Sequence, residues 1–149
     1  MEFKKKIKNI EPLTQNSYGK EFSSRIERAM LCLEALSEYN IININELELG
    51  NNWMNAFWWA NTPENQEKFG KIVLGYFATA FKKEQVPEKD ILQFIYLRGE
   101  INRRIGKKDK ANKFFDRVIK LAKKLPDPHN ISSLAEQQKT NPKENLSEK

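Results

Sequence analysis

The chain has 149 residues, enough to bury a hydrophobic core of its own, and 39% apolar against 31% charged residues marks a polar-surfaced globular protein. No run approaches the roughly 18 apolar residues of a membrane span, and no apolar segment of a secretory leader follows the basic residues 1–8. A single cysteine, Cys32, excludes an internal disulfide and a multi-cysteine zinc site, and a single histidine, His129, excludes paired-histidine metal and protease motifs.

Residues 1–19 show no clear period and read as an irregular arm. In 21–39, Phe22, Ile26, Ala29, Met30, Leu33 and Leu36 recur at three- and four-residue steps, which places them on one helix face. Residues 45–60 hold the three tryptophans, but Gly50-Asn51-Asn52 interrupts them. They form one helix with a weak middle, or a turn followed by a helix from about residue 52. Thr62-Pro63-Glu64 supplies an N-cap, a first-turn proline and a first-turn acid to the helix carrying Phe69, Ile72, Val73, Tyr76, Phe77 and Ala80. Val86-Pro87-Glu88 opens the next helix, 90–105, without a side-chain cap. The period resumes over 109–125 with Ala111, Phe114, Phe115, Val118, Leu121, Ala122 and Leu125, before Pro126 and Pro128. A short helix over 131–138, capped by Ser132 or Ser133, precedes a polar tail that reads as disordered.

No Asn-Gly or Asp-Gly hairpin signal separates alternating apolar runs, so the fold class is all-α. Short connections make consecutive helices antiparallel neighbours, which gives stacked helical hairpins. The organisation expected is an arm over 1–19, a helical domain over 20–128, and a short helix and tail over 129–149.

The segment from Ile91 through Gly99, Gly106, Ala111, Phe115 and Val118 resembles one tetratricopeptide unit. That repeat wants a small residue where its helices approach, here Gly99. It wants a glycine in the tight turn, here Gly106, and then a small residue and an aromatic, here Ala111 and Phe115. Asn102 stands where the repeat usually has a tyrosine, and the preceding helices carry no clean second copy. More of the chain, from 22 to 142, resembles bacterial domain-of-unknown-function family 2225. The resemblance rests on Arg25, the Trp-rich helix, the stretch Gly99-Glu100 to Arg103-Arg104, Phe115 to Ile119, and Leu134 to Gln138. Family members carry a Cys-rich, zinc-ribbon-like segment before a tetratricopeptide-like domain; the cysteines are missing here, and no metal role carries over. The resemblance implies a bacterial, intracellular, helical interaction domain with right-handed repeat architecture.

Helical geometry places Gln93, Tyr96, Glu100, Arg103 and Arg104 together, opposite the apolar stripe Ile91, Phe94, Ile95, Ile101 and Ile105. In tetratricopeptide proteins the matching positions line a groove. Two arginines and a tyrosine there suit an acidic or extended segment of a protein partner, through forked hydrogen bonds and stacking. The plain alternative is a solvated face with a Glu100–Arg104 ion pair. Arg98 falls inside the apolar stripe and should pair with a carboxylate or snorkel at an edge. Trp53, Ala56, Phe57 and Ala60 share one face, with Met54 and Trp58 about 100–140° round and Trp59 projecting on its own; core burial is the default for this helix, and Trp58 and Trp59 are candidate partner-binding residues if exposed. Cys32 reads as a small packing residue and His129 as a surface loop residue.

Charge is uneven along the chain. Residues 21–62 carry six glutamates against two arginines, and residues 98–124 carry eleven basic residues against three acids. Lys110, Lys113, Arg117, Lys120 and Lys124 form one outer helix face, so nucleic-acid phosphates are the competing ligand. A structural subunit covered at its Trp-rich helix is a third reading. No catalytic, cofactor or metal site is expected, because no acid pairing or phosphate-cradling loop is present. The expectation is a non-catalytic protein–protein interaction module in a bacterial cytoplasm.

Overall fold

A computed structural model describes residues 18–142, with side chains from residue 25. Residues 1–17 of the expected 1–19 arm, the side chain of Phe22 and the tail from 143 lie outside the described residues, while Tyr18 and Gly19 already belong to a helix. The fold is all-α: among the described residues there are six α-helices and no strand. These are α1 (Tyr18–Glu38), α2 (Glu46–Trp58), α3 (Pro63–Lys82), α4 (Ile91–Arg104), α5 (Lys108–Leu121) and α6 (Ile131–Thr140), with a 3-10 turn, Glu88–Asp90, leading into α4. The chain divides into two compact units, Met1–Gln85 and Val86–Lys149.

In the first unit, α2 starts at a capping box. The Asn45 side chain accepts from the Glu48 amide, and the Glu48 carboxylate accepts from the Asn45 amide. The helix then runs unbroken through Gly50-Asn51-Asn52, which settles the open choice between a weak middle and a turn. Gly50 is there for packing: a Cβ at this position would stand 2.7 Å from both Cδ1 and Cε1 of Phe77 on α3. Thr62 caps α3 by accepting the Asn65 amide at 3.1 Å, with Pro63 in the first turn, as its sequence predicts. Trp53, Ala56 and Phe57 of α2 then meet Phe69, Val73, Phe77 and Ala80 of α3, all buried.

The face that α1 buries differs from the expected one. Glu27 and Leu31 are buried, whereas Ile26, Met30 and Leu33 are half-exposed and Ala29, Cys32 and Leu36 are exposed. Cys32 is therefore not a packing residue; it lies one step past Leu31, about 100° round the helix. Gln85 closes the unit, donating to Glu46 at 2.6 Å and accepting from the Leu47 amide at 3.2 Å.

In the second unit, α4 and α5 form a hairpin whose core is Leu92, Phe94, Ile95, Ile101, Ala111, Phe115 and Val118. Gly106 turns the chain at φ +84°, a conformation that a side chain disfavours. Gly99 repeats the role of Gly50: its missing Cβ would lie 2.7 Å from Phe115 Cε1 and 3.1 Å from Phe114 Cβ. Each unit thus brings a glycine of one helix under an aromatic pair of the next, Gly50 of α2 under Tyr76-Phe77 of α3 and Gly99 of α4 under Phe114-Phe115 of α5.

The last helix packs on this hairpin through Ile131, Ala135 and Gln138. Its cap is not Ser132 or Ser133. Asp127 accepts the Ile131 and Ser132 amides at 2.6 and 3.1 Å and the Ser132 hydroxyl at 2.7 Å, while Asn130 turns left-handed at φ 54°. These bonds hold the Asp127 carboxyl below its ordinary pKa, although burial pushes the other way.

Candidate functional site

The strip on α4 is not an open groove. Tyr96 and Glu100 are each only 5% exposed, so the expectation of a solvent-facing Gln93, Tyr96, Glu100, Arg103 and Arg104 is corrected at its two central residues. The cause is α6, whose small Ala135 lets the helix approach and whose buried Gln138 donates to Glu100 Oε2 at 3.2 Å. Glu100 becomes the hub of a network. Arg103 donates through Nε to Oε2 at 2.9 Å and through an Nη to Oε1 at 2.6 Å, and Arg104 Nε donates to Oε1 at 2.9 Å.

Both guanidiniums are thereby turned inward, and Gln93 alone of the five is exposed. Burial, with the Glu100 charge second, pushes the Tyr96 phenol up to about 12. The Glu100–Arg104 pair exists, as one spoke of a larger arrangement that fastens α4 beneath α6.

Arg98 resolves its misfit by stacking. Its guanidinium sits 4.6 Å from the Phe114 ring centroid, a cation–π contact at the edge of the hairpin core. Burial, then the Arg117 charge, lowers its pKa.

The tryptophans divide between core and surface, which their spacing left open. Trp53 is 1% exposed and tilted against Phe69 at 5.9 Å, whereas Trp58 and Trp59 are 39% and 62% exposed. Phe57 braces Trp58 edge-on at 4.9 Å, so that ring is held in place by a buried neighbour. The exposed large apolar side chains among the described residues are Leu36, Tyr39, Ile41, Trp58 and Trp59, and all five belong to the first unit.

Four of the five expected basic residues lie on α5, and Lys124 lies in the turn beyond its end at Leu121. Lys110, Lys113, Arg117, Lys120 and Lys124 are all exposed. Asp116, on the same helix, is paired with Lys139 of α6.

Sequence reasoning missed a cleft in the first unit. A space of about 430 Å³ is lined by Glu27, Leu31 and Glu34 of α1, Trp53 of α2, and Lys68, Ile72 and Tyr76 of α3. Glu34 Oε1 accepts from Trp53 Nε1 at 2.7 Å and from the Tyr76 hydroxyl at 2.5 Å, and Glu27 pairs with Lys68. Burial, and then the bond to Glu34, pushes the Tyr76 phenol above its usual range. The signal was present in the sequence: Glu27 and Glu34 flank Leu31 at four- and three-residue steps, which puts two acids on the helix stripe that packs.

Among the described residues, no three His, Cys, Asp or Glu side chains are grouped as a metal-ligand set, and no helix is long and apolar enough to cross a membrane. The family described as an uncharacterized protein conserved in bacteria, domain-of-unknown-function family 2225, matches residues 2–141, and the chain belongs to that family. No curated protein and no solved structure matches the chain.

Proposed function

We propose that this member of family 2225 is a non-catalytic protein–protein interaction module of the bacterial cytoplasm, which meets its partner through the tryptophan end of α2. The observation that carries this reading is the exposure of Trp58, and of Trp59 just past the end of α2, beside the buried aromatics Trp53 and Phe57 of the same helix. Rings held rigidly at a surface bury much area on association and lose little conformational entropy, which is why Trp is enriched at interface hot spots. The expected capture of an acidic segment on the α4 strip is not retained, because Tyr96 and Glu100 are covered within the chain and the Glu100 carboxylate is already held by Arg103, Arg104 and Gln138.

A test compares recovery from a lysate of the encoding bacterium on wild type and on the Trp58→Ala/Trp59→Ala variant, with and without nuclease. A nuclease-resistant protein recovered by the wild type and lost from the variant supports the reading. Equal recovery by both refutes it. The competing reading, nucleic acid on the α5 face and the turn after it, is favoured by the exposure of all five basic residues there. It predicts nuclease-sensitive recovery that Lys113→Glu/Lys120→Glu abolishes.

A further inference from the structure

The cleft in the first unit has a hydrogen-bonding balance that selects its occupant. Its indole and phenol donors, Trp53 Nε1 and the Tyr76 hydroxyl, are both spent on one oxygen of Glu34. Glu27 Oε1 is engaged by Lys68, whose ammonium stands at the rim with half of its side chain in solvent. Glu34 Oε2 and Glu27 Oε2 accept no hydrogen bond from a described residue. What the cleft offers a ligand is therefore acceptor capacity on two carboxylates, balanced by one lysine.

The spacing of those acids adds shape to the charge. Glu27 and Glu34 lie seven residues apart on α1, two helical turns or about 10 Å along the axis, with Leu31 between them. Ile72 faces the same space from α3. A cavity of this volume, with apolar walls and a few fixed polar atoms, falls in the ordinary range of small-ligand sites. A ligand that fits must bring N–H donors, positive charge and an apolar stem, which describes an alkyl ammonium or alkyl guanidinium group.

We infer that the Glu27–Glu34 cleft is a binding site for an alkyl ammonium or guanidinium group, whether carried by a free amine or by a lysine or arginine side chain. The inference stands apart from the Trp58–Trp59 reading, since it uses neither residue, and each can fail alone. The experiment is ligand-observed NMR on the full chain at physiological ionic strength, with n-butylammonium and n-butylguanidinium as probes and n-butanol and butyrate as neutral and anionic counterparts. Saturable binding of the two cations, absent for butanol and butyrate, is the expected result. Glu34→Gln keeps an acceptor for Trp53 and Tyr76 but removes the charge, and should weaken the cations about tenfold or more. Glu136→Gln, on α6, should leave binding unchanged.

Competition with an acetyl-Gly-Lys-Gly amide distinguishes the sources: displacement of butylammonium at lower concentration points to a protein-borne lysine, and weaker displacement to a free amine. Binding of butyrate or butanol as tight as the cations, no saturable cation binding, or an unweakened Glu34→Gln variant would each overturn the site. The wild-type comparison of cation with anion decides the matter even if the variant fails to fold.

Discussion

Two alanine substitutions in the first unit should move stability in opposite directions. At Gly50 an added Cβ meets Phe77 Cδ1 and Cε1 at 2.7 Å and Tyr76 Cβ at 3.1 Å. Phe77 is fully buried, so its ring has no solvent to retreat into. Overpacking of this kind costs about 1–3 kcal/mol, and the better helix propensity of alanine returns up to roughly 1 kcal/mol. The net expectation for Gly50→Ala is a loss of about 1–2 kcal/mol.

Gly75, exposed on α3, has nothing within 4 Å of the same added atom. Gly75→Ala then keeps the propensity gain alone, about 0.5–1 kcal/mol of stabilisation. Urea unfolding followed by tryptophan fluorescence reads both variants, because Trp53, Trp58 and Trp59 all lie in the first unit. A Gly50→Ala variant as stable as wild type would refute the claim that this glycine exists to let α2 and α3 touch.

Further outcomes follow from the caps and charges. Asp127→Ala should cost about 1 kcal/mol locally and speed amide exchange across α6, measured by hydrogen–deuterium exchange; unchanged protection would mean that Asp127 does not hold this helix. Glu100→Leu leaves two inward-turned guanidiniums without their shared carboxylate. With Arg103 and Arg104 still 17% and 24% exposed, the cost is discounted to about 2–3 kcal/mol, read by thermal denaturation. The Glu46 carboxyl is held near pKa 2 by its bonds to Lys83 and Gln85. Because its folded pKa lies below the ordinary 4.5, its contribution is complete above about pH 4.5 and fades as the pH falls toward 2. Melting curves at pH 5 and pH 2.5 should therefore differ less for Glu46→Gln than for wild type, and equal differences would sink that assignment.

The parts of the fold governed by local pattern were legible. Helical period placed Phe69, Val73 and Phe77 inside α3 and Ala111, Phe115 and Val118 inside α5, and Thr62-Pro63 marked a helix start that the structure reproduces. Readings that depended on what another element would cover failed. The strip on α4 looked open because Ala135 and Gln138, which cover it, lie more than thirty residues along the chain on a short, polar helix.

The buried face of α1 was misjudged because apolar residues were counted and acids were not. Glu27 and Glu34 face inward since Lys68, Trp53 and Tyr76 supply partners from other helices. Gly50 left a weak-middled helix and a turn both open because propensity penalises a glycine inside a helix, and propensity carries no information about a phenylalanine ring that needs the space.

The most direct test of the interaction reading is photo-crosslinking in living cells from two positions, one in each unit. Asn55 is exposed on α2 one turn before Trp59, and Gln93 is the exposed residue of the α4 strip. A benzophenone side chain at position 55 is expected to yield a discrete protein adduct that Trp58→Ala/Trp59→Ala removes, while position 93 yields none. An adduct from position 93 and none from position 55 would contradict the reading and return the partner to the strip on α4.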